Sequence, residues 1–261
     1  MRPILCHIAG LAIPSYDFFV TLALLVAGAW YCWEARRHPT YGRYTIELFF
    51  AALVGSTLGA KLPILVQYHK QILAHANNLS QLLAGRTVVG GLIGGTLGVI
   101  IAKKMLHLSG KTGNLFAPAI ALGISIGRIG CLLHGCCYGV PTTLPWGMNF
   151  SDGVLRHPTQ LYESIGALAI FGGLLALRRR ITEDGLLFYI FMIAYFSLRF
   201  IVEYVRAEPR PFWGLTVAQV VSLSVIATYL FILRLHRTSR VNAQDTERNG
   251  CDGITTTADA G

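Results

Sequence analysis

The chain has 261 residues, of which 53% are hydrophobic and 13% charged, and it carries a formal net charge of +9. Soluble domains carry about 25% charged residues, so this deficit excludes an ordinary water-soluble globule and points to a bilayer. The basic residues fall in short clusters between apolar runs, the pattern of membrane topology rather than of a nucleic-acid surface.

About 20 apolar residues cross a bilayer as a helix. Seven such runs follow one another: about 11–33, 46–67, 87–102, 115–133, 161–177, 185–206 and 212–233. The first has one basic residue ahead of it, Arg2, and no small-residue cleavage site, so it reads as a retained anchor. The third, VVGGLIGGTLG, is short and glycine-rich, which suits a tilted, broken or closely packed helix. The expected fold is an all-α polytopic membrane protein. It has a single transmembrane domain over 1–237, an outer-face loop at about 134–160 and a disordered polar tail over 238–261.

Three basic residues follow each odd-numbered span: Arg36, Arg37 and Arg43; Lys103, Lys104 and Lys111; Arg178, Arg179 and Arg180; Arg234, Arg237 and Arg240. The opposite side carries only Lys70, Arg86, Arg156, Arg206 and Arg210. The positive-inside rule then puts the N-terminus outside and the tail in the cytoplasm. With that orientation the intramembrane polar residues converge on the outer half of one bundle. Arg128, Arg199 and Glu203 lie near the outer ends of the fourth and sixth spans. Tyr16, Gly90, Gly91, Gln160, Tyr162 and Glu163 lie near the outer starts of the first, third and fifth, and Lys61 belongs to the same layer.

Tyr195, Arg199 and Glu203 recur at steps of four along one helix face, with Arg206 three further on. An arginine at mid-bilayer costs roughly 2.5–3.5 kcal/mol on insertion scales, so this stripe must face the bundle interior. It reads either as a structural Arg–Glu pair or as an anion clamp. In the clamp, Arg199 holds a phosphate through its planar fork, Glu203 orients it and Arg128 is the second arginine. Cys131, His134, Cys136 and Cys137 form a C-x2-H-x-C-C run with soft donors. No second ligand pair follows at a usual zinc spacing, so no metal is expected. These thiols read as small packing residues or as reactive groups, and His134 as a general base or an interfacial histidine. The isolated Cys6, Cys32 and Cys251 read as inert. VPTTLPWGMNF suits a loop at headgroup level.

Taken in order, these blocks resemble the bacterial prolipoprotein diacylglyceryl transferase family. They are Ser15–Tyr16, GGLIGG at Gly90–Gly95, GRIG at Gly127–Gly130, YG-x-PT-x-LPWG at Tyr138–Gly147, RHPTQLYE at Arg156–Glu163, RF-x-x-E-x-x-R at Arg199–Arg206 and LT-x-x-Q at Leu215–Gln219. The resemblance implies an enzyme of the bacterial inner membrane with no cofactor. Such an enzyme moves the diacylglyceryl group of phosphatidylglycerol to the lipobox cysteine of a prolipoprotein signal peptide and releases glycerol phosphate. It further implies catalytic roles for Arg128, Arg199, Glu203 and His134, and substrate contacts from Tyr16, Gly90, Gly91, Tyr195, Arg206, Gln160 and Glu163. Membrane lipid is the only other partner expected, and the protein is expected to act as a monomer.

The chain departs from the family at Asp17, Val89, Cys131, His134 and Cys136, where the family carries glycine, histidine, asparagine, asparagine and glutamate. Two alternatives therefore stay open. One is a diverged paralogue with another thiol acceptor or cysteine-based chemistry. The other is a non-catalytic lipid-binding or transport protein.

Overall fold

A computed structural model describes residues 2–8, 11–37, 42–74, 87–181, 183–210 and 213–255. Apolarity alone starts the first helix near residue 11. In the structure that stretch is instead a hairpin of β1 (Ile4–Ile8) and β2 (Leu11–Pro14), antiparallel, with Cys6 opposite Ile13. Pro14, at φ −65° and ψ 137°, is extended and forms the N-cap of the first helix, a place where proline fits. The Ser15 amide donates to Pro3 O at 2.8 Å and its hydroxyl to Arg2 O, so the hairpin folds back onto the helix start.

The helices are α1 (Ser15–Ala35), α2 (Thr45–Ala74), α3 (Val88–Met105), α4 (Gly113–His134), α5 (Thr159–Arg178), α6 (Leu186–Glu203) and α7 (Val217–Thr255). A second small hairpin, β3 (Met148–Asn149) with β4 (Leu155–Arg156), lies in the loop between α4 and α5. Among the described residues α1, α3, α4, α5, α6 and the Val217–Leu235 part of α7 are long and apolar enough to cross a membrane. The 30-residue α2 covers the second expected span. The protein is thus an all-α polytopic membrane protein.

Its helices are apolar outside and polar inside. Leu25, Leu58, Ile165 and Ile201 are 66%, 64%, 59% and 65% exposed, whereas Arg128, Gln160, Glu163, Arg199, Glu203 and Gln219 are buried. That distribution costs least in hydrocarbon.

Helix pairs pack α2 on α3, α1 on α4, α4 on α5 and α6 on α7. The glycines of α3 find their reason here. A Cβ on Gly94 would fall 2.7 Å from the Gly59 Cα, and one on Gly98 would fall 3.2 Å from the Gly55 Cα. The two backbones touch along a small-residue stripe. Gly94→Leu is expected to cost about 1–3 kcal/mol of stability through overpacking and so to lower the unfolding midpoint. Gly172→Leu, at a position with nothing within 4 Å, is expected to leave the midpoint unchanged. Thermal unfolding in detergent compares them, and equal midpoints would refute the close contact.

Two polar devices set the register of the other helices. Ser125 and Ser164 exchange hydrogen bonds: the Ser125 hydroxyl donates to Ser164 O at 3.0 Å and the Ser164 hydroxyl to Ser125 O at 2.8 Å. This pins α4 to α5. At the other end of the bundle Arg178 grips Glu34 of α1 with both Nη atoms, at 2.9 and 2.8 Å, a fork-to-fork pair.

Candidate functional site

The serine clasp decides what meets at its end of the bundle. Arg128 lies one turn beyond Ser125 on α4, and Glu163 immediately precedes Ser164 on α5, so the guanidinium and the carboxylate are brought face to face. They form an ion pair through Arg128 Nη2 and Glu163 Oε2. The other oxygen, Oε1, accepts from Arg199 Nη1 of α6 at 2.7 Å and stands 3.7 Å from Arg206 Nη1. Glu163 therefore sits at the centre of three arginines.

Arg199 uses its second nitrogen, Nη2, on Glu203 Oε2 at 2.8 Å, one turn along α6. The spacing of Tyr195, Arg199 and Glu203 holds as a single face, and all three are buried. Arg206 is different. The helix expected to reach residue 206 ends at Glu203, and Arg206 belongs to a bridge with Gly139 of the α4–α5 loop. Folding back from there, its Nε lies 3.5 Å from Glu203 Oε2 and its Nη2 donates to Glu208 at 3.0 Å.

Thr216, in the LT-x-x-Q block but given no site role by sequence, completes the cluster. Its hydroxyl donates to Glu203 Oε1 at 3.0 Å and accepts from the Gln219 amide at 3.2 Å. Gln219 Oε1 in turn accepts from the Thr216 amide at 3.0 Å. This is a reciprocal capping box at the start of α7. The signal was visible as T-x-x-Q ahead of an apolar run.

Buried charge is costly unless paired. Here three buried guanidiniums face two buried carboxylates, with Glu208, 45% exposed, at the rim. Arg128 Nε is a buried donor without a hydrogen-bond partner among the described residues. The cluster therefore has a positive balance and a spare donor, which suits an anion.

The remaining predicted residues divide into three groups. Gln160 does not join the arginines: its Nε2 donates to Cys136 O at 2.5 Å, while Thr159 Oγ1 donates to Cys137 O at 2.6 Å. Together they fasten the cysteine turn to the start of α5. His134, exposed at the end of α4, has its ring 6.0 Å from that of Tyr16 at the start of α1. Gly90 and Gly91 lie in the first turn of α3, Gly90 close against the Gly59 backbone and Gly91 at ordinary contact distance from Ser56 and Ala60. Val89 packs against the apolar cluster that contains Leu92 and Tyr195.

The loop after α4 is tied down on both sides. The Gly139 amide donates to His157 O, the His157 amide to Val140 O and the Val140 amide to Val205 O. Trp146 Nε1 donates to Tyr162 Oη at 2.8 Å. Arg156 stacks over Tyr138 and pairs with Asp152 at 2.5 Å, a contact that holds the Asp152 carboxyl below its usual range. Leu144, Trp146, Val154 and Leu155 are exposed on this loop, an apolar rim that suits a headgroup layer. A separate cavity of about 470 Å³ lies elsewhere, lined by Phe49, Leu92, Phe116 and Ile120 with Lys103 and Lys111. Its walls suit hydrocarbon, and none of the clustered arginines lines it.

Comparison with known proteins places the sequence in a family. A family model described as prolipoprotein diacylglyceryl transferase matches residues 3–235. The chain is 31% identical over 245 residues to the phosphatidylglycerol–prolipoprotein diacylglyceryl transferase of Clostridium tetani, covering 91% of this chain and 98% of the relative. It is 30% identical over 253 residues to phosphatidylglycerol–prolipoprotein diacylglyceryl transferase 2 of Clostridium perfringens, covering 91% and 96%. With the Bordetella parapertussis enzyme of the same name it shares 31% identity over 231 residues, covering 83% and 86%.

Proposed function

The chain belongs to the prolipoprotein diacylglyceryl transferase family, and from that membership we propose that the buried arginine cluster is where it binds and cleaves its lipid donor. The protein is a diacylglyceryl transferase of lipoprotein maturation, with phosphatidylglycerol as donor and prolipoproteins as acceptors. The acceptor thiolate attacks the glycerol carbon next to the phosphate. A C–S bond forms, a C–O bond breaks and glycerol phosphate leaves with the electron pair. Charge thus grows on the leaving phosphate, where preorganised donors lower the barrier most.

The observation that carries this reading is the convergence of Arg128, Arg199 and Arg206 on two buried carboxylates. In the proposed roles Arg128 and Arg199 bind the phosphate and its developing charge, and Glu203 orients Arg199. Tyr16, Tyr195 and Arg206 contact the headgroup. Glu163 and Gln160 hold the arginines and the cysteine turn, and Gly90 and Gly91 keep α3 close to α2. His134, exposed beside Tyr16, takes the proton of the acceptor thiol.

We place seven spans in the bacterial inner membrane, with the N-terminus and this cluster outside. The protein acts as a monomer on lipobox-bearing signal peptides. Purified protein, phosphatidylglycerol vesicles and a lipobox peptide test the reading by release of glycerol phosphate. Arg128→Ala is expected to lower turnover by about 100-fold or more while the protein still inserts. Unchanged turnover in that variant would refute the role of the cluster.

A further inference from the structure

The three clustered cysteines find no use in the reaction above, yet the fold places them with care. Helix α4 ends in a Schellman motif. Gly135, at φ 78°, is its left-handed residue, and its amide donates to Leu132 O at 3.2 Å. The Cys136 amide donates to Cys131 O, also at 3.2 Å. This backbone pattern brings the side chains of the fourth-last helical residue and the second residue past the end into contact. Those two positions are Cys131 and Cys136. Cys136 Sγ lies 3.7 Å from Cys131 O, and both thiols are partly buried and reduced.

Cys137 follows with φ 66°, a left-handed conformation that a non-glycine residue rarely adopts. The turn is held there by Thr159 and Gln160, which bond the carbonyls of Cys137 and Cys136. Unlike its neighbours, Cys137 is solvent-exposed. Hydrogen bonds from Cys131 and Cys136, with the Arg206 and Arg128 guanidiniums nearby, hold its thiol well below the ordinary range. Cys136 is pushed up by its bonds to Cys131 and Cys137. An exposed thiol that favours its thiolate is the one that attacks.

We propose that Cys131, Cys136 and Cys137 form a thiol–disulfide exchange site, in which Cys137 captures an external disulfide and the lasting product is a Cys131–Cys136 bridge. The Cys137 thiolate attacks the external disulfide, whose S–S bond breaks, and one half leaves as a thiolate that takes up a proton. Cys131 then displaces the second half from Cys137. Cys136 finally displaces Cys137 from Cys131. One external disulfide is reduced to two thiols, two protein thiols are oxidised, and Cys137 emerges free. The bridge closes the turn that carries the chain from Arg128 into the loop over the arginine cluster. Its meeting an oxidant in the cell rests on the outer-face placement proposed above, where disulfides persist.

The test uses the purified full chain with oxidised glutathione as probe, followed by maleimide blocking and peptide mapping without reduction. The expected result is a Cys131–Cys136 linkage lighter by two hydrogens, with Cys6, Cys32, Cys137 and Cys251 carrying maleimide. Cys137→Ser is expected to slow its formation, and Cys131→Ser to abolish it and leave stable glutathione on Cys137. Maleimide on both Cys131 and Cys136, or a bridge ending on Cys137, would overturn the proposal. Alkylation of Cys137 is expected to reach half its maximal rate at a pH below the usual thiol value of about 8.5. A midpoint at or above that value would remove Cys137 as the capturing thiol. An impermeant maleimide on intact cells tests orientation separately, since labelling only after permeabilisation would refute the outer placement and leave the mapped bridge standing.

Discussion

Replacing Glu163 with alanine is expected to lower stability by about 3–5 kcal/mol, the usual cost of removing one partner from a buried ion pair. Glu163 is 1% exposed and faces Arg128, Arg199 and Arg206 at once. Without it, Glu203 is the single buried carboxylate left among three guanidiniums. Domains of this kind have roughly 5–15 kcal/mol in total, so the variant should fold only marginally. Glu163→Gln separates charge from shape, because it keeps the volume and one acceptor but removes the negative charge. It is expected to unfold at an intermediate midpoint, and Glu163→Gln with Arg206→Gln to regain part of the loss. Unfolding in detergent checks the series. An alanine variant with the midpoint of the parent chain would refute the central position given to this carboxylate.

The second large effect is expected at Arg199, and here on turnover more than on stability. Its guanidinium spans two carboxylates, with Nη1 on Glu163 at 2.7 Å and Nη2 on Glu203 at 2.8 Å. A lysine places one compact ammonium where a planar fork spans two partners, so it meets only one of them and presents no fixed face to a phosphate. Arg199→Lys should therefore insert and fold, yet lose about 100- to 1,000-fold in turnover, the scale of losing one preorganised donor. Turnover within a few-fold of the parent chain would show that charge alone suffices at this position.

Much of this site was legible before the structure because hydrocarbon leaves few places for charge. Arg199 and Glu203 at a spacing of four, inside an apolar run, had to share an inward face, and they do. Arg128 and Glu163 could be assigned to the same layer but not to each other. Their pairing depends on the clasp of Ser125 with Ser164, two residues 39 apart in the chain, which fixes the register between their helices. Arg206 continues the helical spacing on paper, but the helix stops at Glu203, and a β-bridge to Gly139 returns it to the cluster. The strand Leu11–Pro14 falls inside the first apolar run because apolarity carries no sign of backbone conformation. Thr216 lies in a legible motif, but a capping residue carries no sign in sequence of the neighbouring helix whose carboxylate it meets.

The pairing of Gly139 with Arg206, supported by the Val140 amide on Val205 O at 2.9 Å, has a mechanical meaning. The loop over the cluster and one of the arginines inside it are laced into a single ribbon. A headgroup that draws Arg206 inward must pull Tyr138–Val140 with it, and a peptide that presses on the loop must shift Arg206. Donor and acceptor thus feel each other through the backbone before their reacting atoms meet. The Val140 amide is the natural strain gauge for that coupling, since its exchange with solvent slows when the ribbon is held and quickens when it is peeled.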